Sequence, residues 1–164
     1  MLVAALLFAQ SADWHTFETT QLSVEFFCEG AGTADFDGDG HGDIVSGPFV
    51  YFGPEFEVKT EVYEPEPFSI QGYSDSFFAF PHDIDGDGLV DLLAVGFPGK
   101  EAFWYRNPGG EIREAAHWER SLVLAQVDNE SPQFEDVNAD GNPDLVCMTG
   151  GALGWAEWDP ANPK

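Results

Sequence analysis

The chain has 164 residues, with 30 Asp or Glu against 6 Lys or Arg, for a formal net charge of −24. Such a charge excludes nucleic acid and anionic membrane surfaces as partners, because both are held through Lys and Arg. A hydrophobic content of 43% with 15% aromatics still supports a packed core, so the acidity does not signal disorder, and the length fits one domain.

Leu2-Val3-Ala4-Ala5-Leu6-Leu7-Phe8-Ala9 opens the chain as an apolar run, and Ala9-Gln10-Ser11 follows with small residues spaced for a cleavage site. Residues 1–11 therefore read as a truncated signal peptide, with an apolar strand or helix as the alternative. The run is too short to cross a bilayer, and nothing else resembles a membrane segment. A secreted or extracytoplasmic protein without membrane insertion is expected. Trp14-His15-Thr16-Phe17-Glu18-Thr19-Thr20 then alternates large apolar with polar residues and predicts a strand.

A nine-residue loop occurs three times. The first carries Asp35, Asp37, Asp39 and Asp43; the second Asp83, Asp85, Asp87 and Asp91; the third Asp136, Asn138, Asp140 and Asp144. Each copy sets oxygen-bearing side chains at positions 1, 3, 5 and 9, and a Gly at position 6. Ca²⁺ takes six to eight oxygens, and a tight loop with alternate inward carboxylates supplies them. Position 7 would add a backbone carbonyl, from His41, Leu89 and Asn142. Gly at position 6 permits a left-handed bend around the ion. An EF-hand would need Glu at position 12, where this chain has Ser46, Ala94 and Cys147. Each loop instead runs into a short apolar segment ending at Gly47, Gly96 or Gly150, as a buried strand does. A metal-free Asp/Gly-rich turn explains one such loop; three in register point to about three structural Ca²⁺ ions. Eleven of the acids lie in these loops, and three ions would bring the net charge to −18.

The loops start 48 and 53 residues apart. Each unit reads as an inner strand, the loop, an apolar strand, an aromatic third strand and an outer strand. The third strands are Phe49–Phe52, Ala102–Tyr105 and Leu153–Trp158; the outer ones are Val58–Val62 and the run from Trp118 to Leu124. Gly53-Pro54, Asn107-Pro108-Gly109-Gly110 and Asp159-Pro160 punctuate the turns. This period, with about four strands per unit, predicts an all-β fold: a β-propeller segment of about three four-stranded blades. Within 12–164 the units span about 14–62, 63–124 and 125–164, the last without its outer strand. Three units do not close an ordinary ring, so an arc of a larger propeller is expected, completed by further blades or by self-association. Cys28 and Cys147 fall in the first and third units and are expected to stay unpaired.

The loop pattern D-x-[DN]-x-D-G-x-x-D leading into a strand, at this period, resembles the FG-GAP and VCBS-type repeat family. Phrases such as Val45-Ser46-Gly47-Pro48 and Gly150-Gly151-Ala152-Leu153-Gly154-Trp155 are similar to secreted repeat proteins abundant in planctomycete-type bacteria. The resemblance covers about residues 14–158. It implies a propeller with Ca²⁺ in the hairpin after each innermost strand, held at loop positions 1, 3, 5, 7 and 9. The third loop departs from the pattern, with Asn138 for a carboxylate and Ala139 for Gly, so a weaker site is expected there.

Glu29, Asp75 and Glu130 each precede an inner strand, with Tyr73, Ser74, Asn129 and Ser131 beside them. They read either as a ligand-binding rim opposite the metal loops or as strand-entry caps on a solvated surface. Trp104, Trp118, Trp155 and Trp158 are expected to pack between blades rather than stack on sugars. The four His residues lack metal-ligand spacing, and no nucleophile, zinc or phosphate-loop motif is present. The leading expectation is a secreted, calcium-stabilised module binding carbohydrate or protein. The alternative is part of a polysaccharide-active lyase or hydrolase whose site needs further blades, and a truncated product without independent function is a third reading.

Overall fold

The structure is a computed structural model that describes residues 17–158. Eleven strands form three antiparallel sheets. The first comprises β1 (Ala31–Ala34), β2 (Asp43–Ser46), β3 (Phe49–Phe52) and β4 (Val58–Glu61), in that order. The second comprises β5 (Phe78–His82), β6 (Asp91–Val95), β7 (Lys100–Arg106) and β8 (Glu119–Val127). The third holds β9 (Gln133–Glu135), β10 (Asp144–Thr149) and β11 (Ala152–Ala156). The chain is therefore all-β, built of propeller-type blades, and the third sheet lacks an outer strand among the described residues. The sole helical element described is a 3-10 turn at Gly109–Glu111, and among the described residues no helix is long and apolar enough to cross a membrane.

Side-chain alternation explains why the sheets stack. Along β6, Leu92 and Ala94 join the core against the first sheet, while Leu93 and Val95 join the core against the third. Along β7, Phe103 and Tyr105 face the first sheet, and Ala102 and Trp104 face the third. The middle sheet is covered on both faces, so its strands read as continuous apolar runs rather than as polar–apolar alternation. The inner strands β1 and β5 run close together: a Cβ on Gly30 would lie 2.5 Å from the Phe77 carbonyl oxygen, which only Gly avoids.

Two sequence-based expectations need correction. Residues 17–20 of the segment expected as a strand are irregular and exposed, with Phe17 94% accessible, and Trp14–Thr16 lie outside the described residues, as does the apolar run at 1–11. Trp155 is 57% exposed rather than packed. Strand register makes it the counterpart of Trp104, since Leu93 pairs with Trp104 and Val146 with Trp155. Trp104 is covered by the third sheet, and its ring meets Trp158 edge-on at 5.4 Å. Among the described residues no further sheet covers Trp155.

Candidate metal centre

Each loop bridges an inner strand and the next strand of its sheet: β1 to β2, β5 to β6, β9 to β10. The position-1 carboxylate organises the bend. Asp35 accepts backbone N–H groups from Gly38 (2.9 Å), Asp39 (3.1 Å) and Gly40 (2.9 Å). Asp83 accepts from Gly86 and Gly88, both at 2.9 Å, and Asp136 from Asp140 (3.2 Å) and Gly141 (3.0 Å). Asp39, Asp87 and Asp140 each accept the N–H of the position-7 residue, His41, Leu89 or Asn142, at 2.8–2.9 Å. The position-6 glycines Gly40, Gly88 and Gly141 have φ of 88°, 90° and 96°, the left-handed region the sequence called for. Position 4 is left-handed too, and in the third loop Ala139 holds φ 64° where Gly38 and Gly86 stand in the others.

Position 9 does a different job. Asp43, Asp91 and Asp144 are 0%, 0% and 1% exposed. Asp43 accepts from Phe36 N (2.8 Å) and Gly53 N (2.9 Å), and Asp91 from Ile84 N (3.1 Å) and Asn107 N (2.7 Å). Asp144 accepts from Val137 N at 3.2 Å. These buried carboxylates lock the loop onto its strand, and the first two reach the end of the third strand as well. Burial lifts the Asp91 carboxyl to about 6, two backbone donors oppose it, and the Asp85 charge adds to the rise. Burial raises Asp43 in the same direction.

Asp35, Asp37 and Asp39 each bring a carboxylate oxygen within 4.8 Å of the others, as do Asp83, Asp85 and Asp91. The donors are oxygens without nitrogen or sulfur, the choice of a hard ion such as Ca²⁺ rather than Zn²⁺. The residues of the first two loops fit such an ion. In the third, the Asn138 amide takes the place of one carboxylate, with its Oδ1 accepting from Asp140 N at 2.9 Å.

Four residues at these loops were not anticipated from the sequence. Arg113 lies across the first loop, with Nε 2.6 Å from Asp37 Oδ2 and Nη2 3.1 Å from Asp39 Oδ2. It arrives from the second sheet: Ile112, 3% exposed, plugs into the core between the two sheets and aims the next residue at the loop. Arg106 makes the same pair of contacts on the second loop, at 2.7 Å to Asp85 and 3.1 Å to Asp87. Asn107, read in the sequence only as a turn residue, is buried and donates through Nδ2 to Phe36 O (2.9 Å) and Val90 O (2.8 Å), tying the first loop to the second. Glu157 sits at the third loop, 3.3 Å from Asn138 Nδ2. The composition shows only that basic residues are scarce, 6 in the chain, and not which carboxylates they meet.

The three strand-entry acids are placed differently from one another. Glu29 accepts from Ser74 N at 3.1 Å and from the Ser74 hydroxyl, capping the entry to the second sheet. Asp75 is exposed and lines a cavity of about 260 Å³ between the first two sheets, with Tyr63, Tyr105, Glu66 and Lys100. Glu130 is exposed, and no hydrogen bond or ion pair engages it among the described residues. Its neighbour Asn129 accepts from Met148 N at 2.8 Å. His82 ends β5 against the Phe134 ring and lines a second cavity of about 280 Å³ between the second and third sheets. Both cysteines are free, as expected, with Cys28 Sγ 3.1 Å from Ser46 Oγ.

In comparisons with known proteins, residues 83–147 match a family model described as FG-GAP-like repeat. No curated protein and no solved structure matches. The matched segment runs from the start of the second loop into the strand after the third. The sheet at 31–61 repeats its strand order and its loop hydrogen bonds. The match supports the FG-GAP repeat family for the segment that contains the second and third loops.

Proposed function

We propose that this chain is a secreted, calcium-stabilised β-propeller-type binding module. The observation that carries the reading is the recurrence of one carboxylate arrangement in three loops, each stapling an inner strand to its neighbour. Ca²⁺ would be structural here. Asp35, Asp37, Asp39 and Asp43 would hold it in the first loop, with Asp83, Asp85, Asp87 and Asp91 in the second and Asp136, Asn138, Asp140 and Asp144 in the third. The ion supplies positive charge that offsets crowded carboxylates, while the chain's own groups hold the bend and tie it to the sheet. An extracytoplasmic location suits such loops, because calcium modules there work at about 10⁻⁴–10⁻³ M.

The cavity between the first two sheets favours a carbohydrate as ligand over an anionic one. Glu64, Glu66, Asp75 and Glu101 outnumber Lys100 there, which disfavours an anion. Acceptor carboxylates suit neutral sugar hydroxyls. The test compares melting in EGTA and in millimolar Ca²⁺, for the chain and for the Asp35→Asn/Asp83→Asn/Asp136→Asn variant, followed by calorimetry against neutral and acidic oligosaccharides with and without Asp75→Ala. A calcium-dependent rise lost in the triple variant supports the module. Equal melting of the wild type in both buffers refutes the calcium role, and equal oligosaccharide binding by Asp75→Ala refutes the cavity.

A further inference from the structure

A row of aromatic rings crosses the inner edge of the second sheet, where β5 is the edge strand. On β5, strand alternation puts Phe78, Phe80 and His82 on one face. The Phe78 and Phe80 rings stack with centroids 5.9 Å apart and planes 5° from parallel. Phe80 meets Phe134 of β9 at 5.7 Å, and the Phe134 ring meets His82 edge-on at 5.8 Å. At the other end, Phe77 lies 6.3 Å from Phe78 and meets Phe97 edge-on at 5.2 Å. Tyr73 contacts both Phe77 and Phe97, at 5.9 and 5.3 Å. Tyr73 is 68% exposed, and the five Phe residues are each partly exposed. Phe78, Phe80 and Phe134 pack on one side against the core between the second and third sheets, which leaves an open aromatic strip. None of these rings lines the cavity between the first two sheets.

Charge decides what such a strip takes. The acids beside it are Glu29, bonded to Ser74; Asp75, between Tyr73 and Phe77; Glu101, whose carbonyl accepts from Gly96 N at 3.0 Å; and Glu135, next to Phe134. The loop acids Asp83 and Asp136 follow directly on His82 and Glu135. Against them stand Lys100, on the same turn as Phe97, and His82 itself. With a net charge of −24, an anionic occupant and a second copy of this chain are both repelled. Elsewhere the chain seats its own cations on Phe rings. Lys59 Nζ lies 3.5 Å from the Phe49 centroid, and the Arg113 and Arg120 guanidinium carbons lie 4.5 Å from those of Phe52 and Phe103. Half of the 6 basic residues are used in this way. Among the described residues no Lys or Arg lies over a ring of the strip.

We infer that this strip docks a basic, extended segment of a partner protein. Its Arg and Lys side chains lie over the rings while their charges face the flanking acids. An extended segment presents side chains at regular intervals, so it meets the Tyr73–Phe97 end and the Phe80–Phe134 end together. Arg is preferred to Lys, because its planar, weakly hydrated guanidinium stacks on a ring face. The flanking acids speed encounter and set the sign of the partner's charge; the rings supply the local fit.

The experiment is fluorescence anisotropy on the full chain in millimolar Ca²⁺, at near-physiological salt so that unspecific attraction to the acidic surface is screened. The probes are three labelled peptides in which Ser alternates with Arg, with Lys or with Glu, and a neutral oligosaccharide. The variants are Tyr73→Ala, Phe80→Leu and their combination, none of which alters charge, and the control Glu55→Gln/Glu57→Gln on the turn between β3 and β4. Thermal melts verify folding, and Tyr73→Ala removes an exposed ring without opening a core. The Arg peptide is expected to bind, the Lys peptide more weakly and the Glu peptide not at all. Each single ring variant should weaken Arg-peptide binding by about two- to fivefold and the combination by about tenfold, with the control unchanged. Arg-peptide binding that the ring variants leave intact would mean that charge alone holds it and overturns the inference. So does a wild-type chain that binds no Arg peptide, and oligosaccharide binding lost in Phe80→Leu would then give the strip to a sugar.

Discussion

The second residue of each loop gives a graded test of how the sheets stack. Phe36, Ile84 and Val137 occupy equivalent positions, and their exposures are 1%, 8% and 50%. Phe36 enters the core between the first two sheets, with its ring 6.1 Å from that of Trp118. Ile84 enters the core between the second and third sheets, beside Leu93 and Leu145. Val137 has no following sheet to enter among the described residues. Truncation to Ala should therefore cost about 3–5 kcal/mol at Phe36 and about 2–4 kcal/mol at Ile84, the ranges for lost transfer energy plus a residual cavity. At Val137 it should cost less than about 0.5 kcal/mol, as at an ordinary surface site. Urea titration followed by tryptophan fluorescence, in fixed millimolar Ca²⁺, measures all three. The sheets need not unfold together, so fluorescence and circular dichroism transitions should be compared for coincidence. A Val137→Ala cost equal to that of Phe36→Ala would refute the stacking order, since it would mean that this face is covered in solution.

Other outcomes follow from the loops and the thiols. Asp91 is held above its unfolded value, so its ionisation opposes folding at neutral pH. As pH falls from about 7 through 6 toward 4, the native state takes up a proton that the unfolded chain does not, and calcium-free stability should rise by on the order of 2–3 kcal/mol. Melts in EGTA at pH 5 and pH 7.5 check the sign, and a lower melting point at pH 5 contradicts it. Ala139→Gly should stabilise the third loop by about 0.5–1 kcal/mol, because a Cβ at φ 64° is strained and Gly is not; a loss in the urea midpoint would contradict this. Burial raises both thiols, Cys28 and Cys147, so a thiol probe at pH 7.5 should label them slowly in the folded chain and fast in urea. Prompt labelling of folded Cys147 would contradict its 2% exposure.

What was legible in the sequence was local or periodic. Asp and Gly at fixed offsets set each loop, and the apolar runs after Asp43, Asp91 and Asp144 became β2, β6 and β10 because a buried strand needs little besides β-prone apolar residues. What was not legible depends on neighbours in space. Trp104 and Trp155 hold the same register, yet only the first is covered, and no pattern within a unit states which sheet follows. Arg113 meets the first loop 74 residues away in the chain, through Asp39. Asn107 reads as a turn residue and is one, while its side chain also joins two loops. Glu157, 19 residues further on, meets Asn138 through a strand register that the loop pattern does not state.

The most direct test of the central claim is calcium titration of the full chain by calorimetry, after EGTA treatment, with thermal melts alongside. The account predicts close to three ions per chain and a melting point that climbs with calcium concentration, by about 2.7 kcal/mol of stability per site at one hundred times Kd. A cooperative melt in EGTA that millimolar Ca²⁺ leaves unmoved, with no heat of binding, would show that the three loops are metal-free turns and would contradict the account.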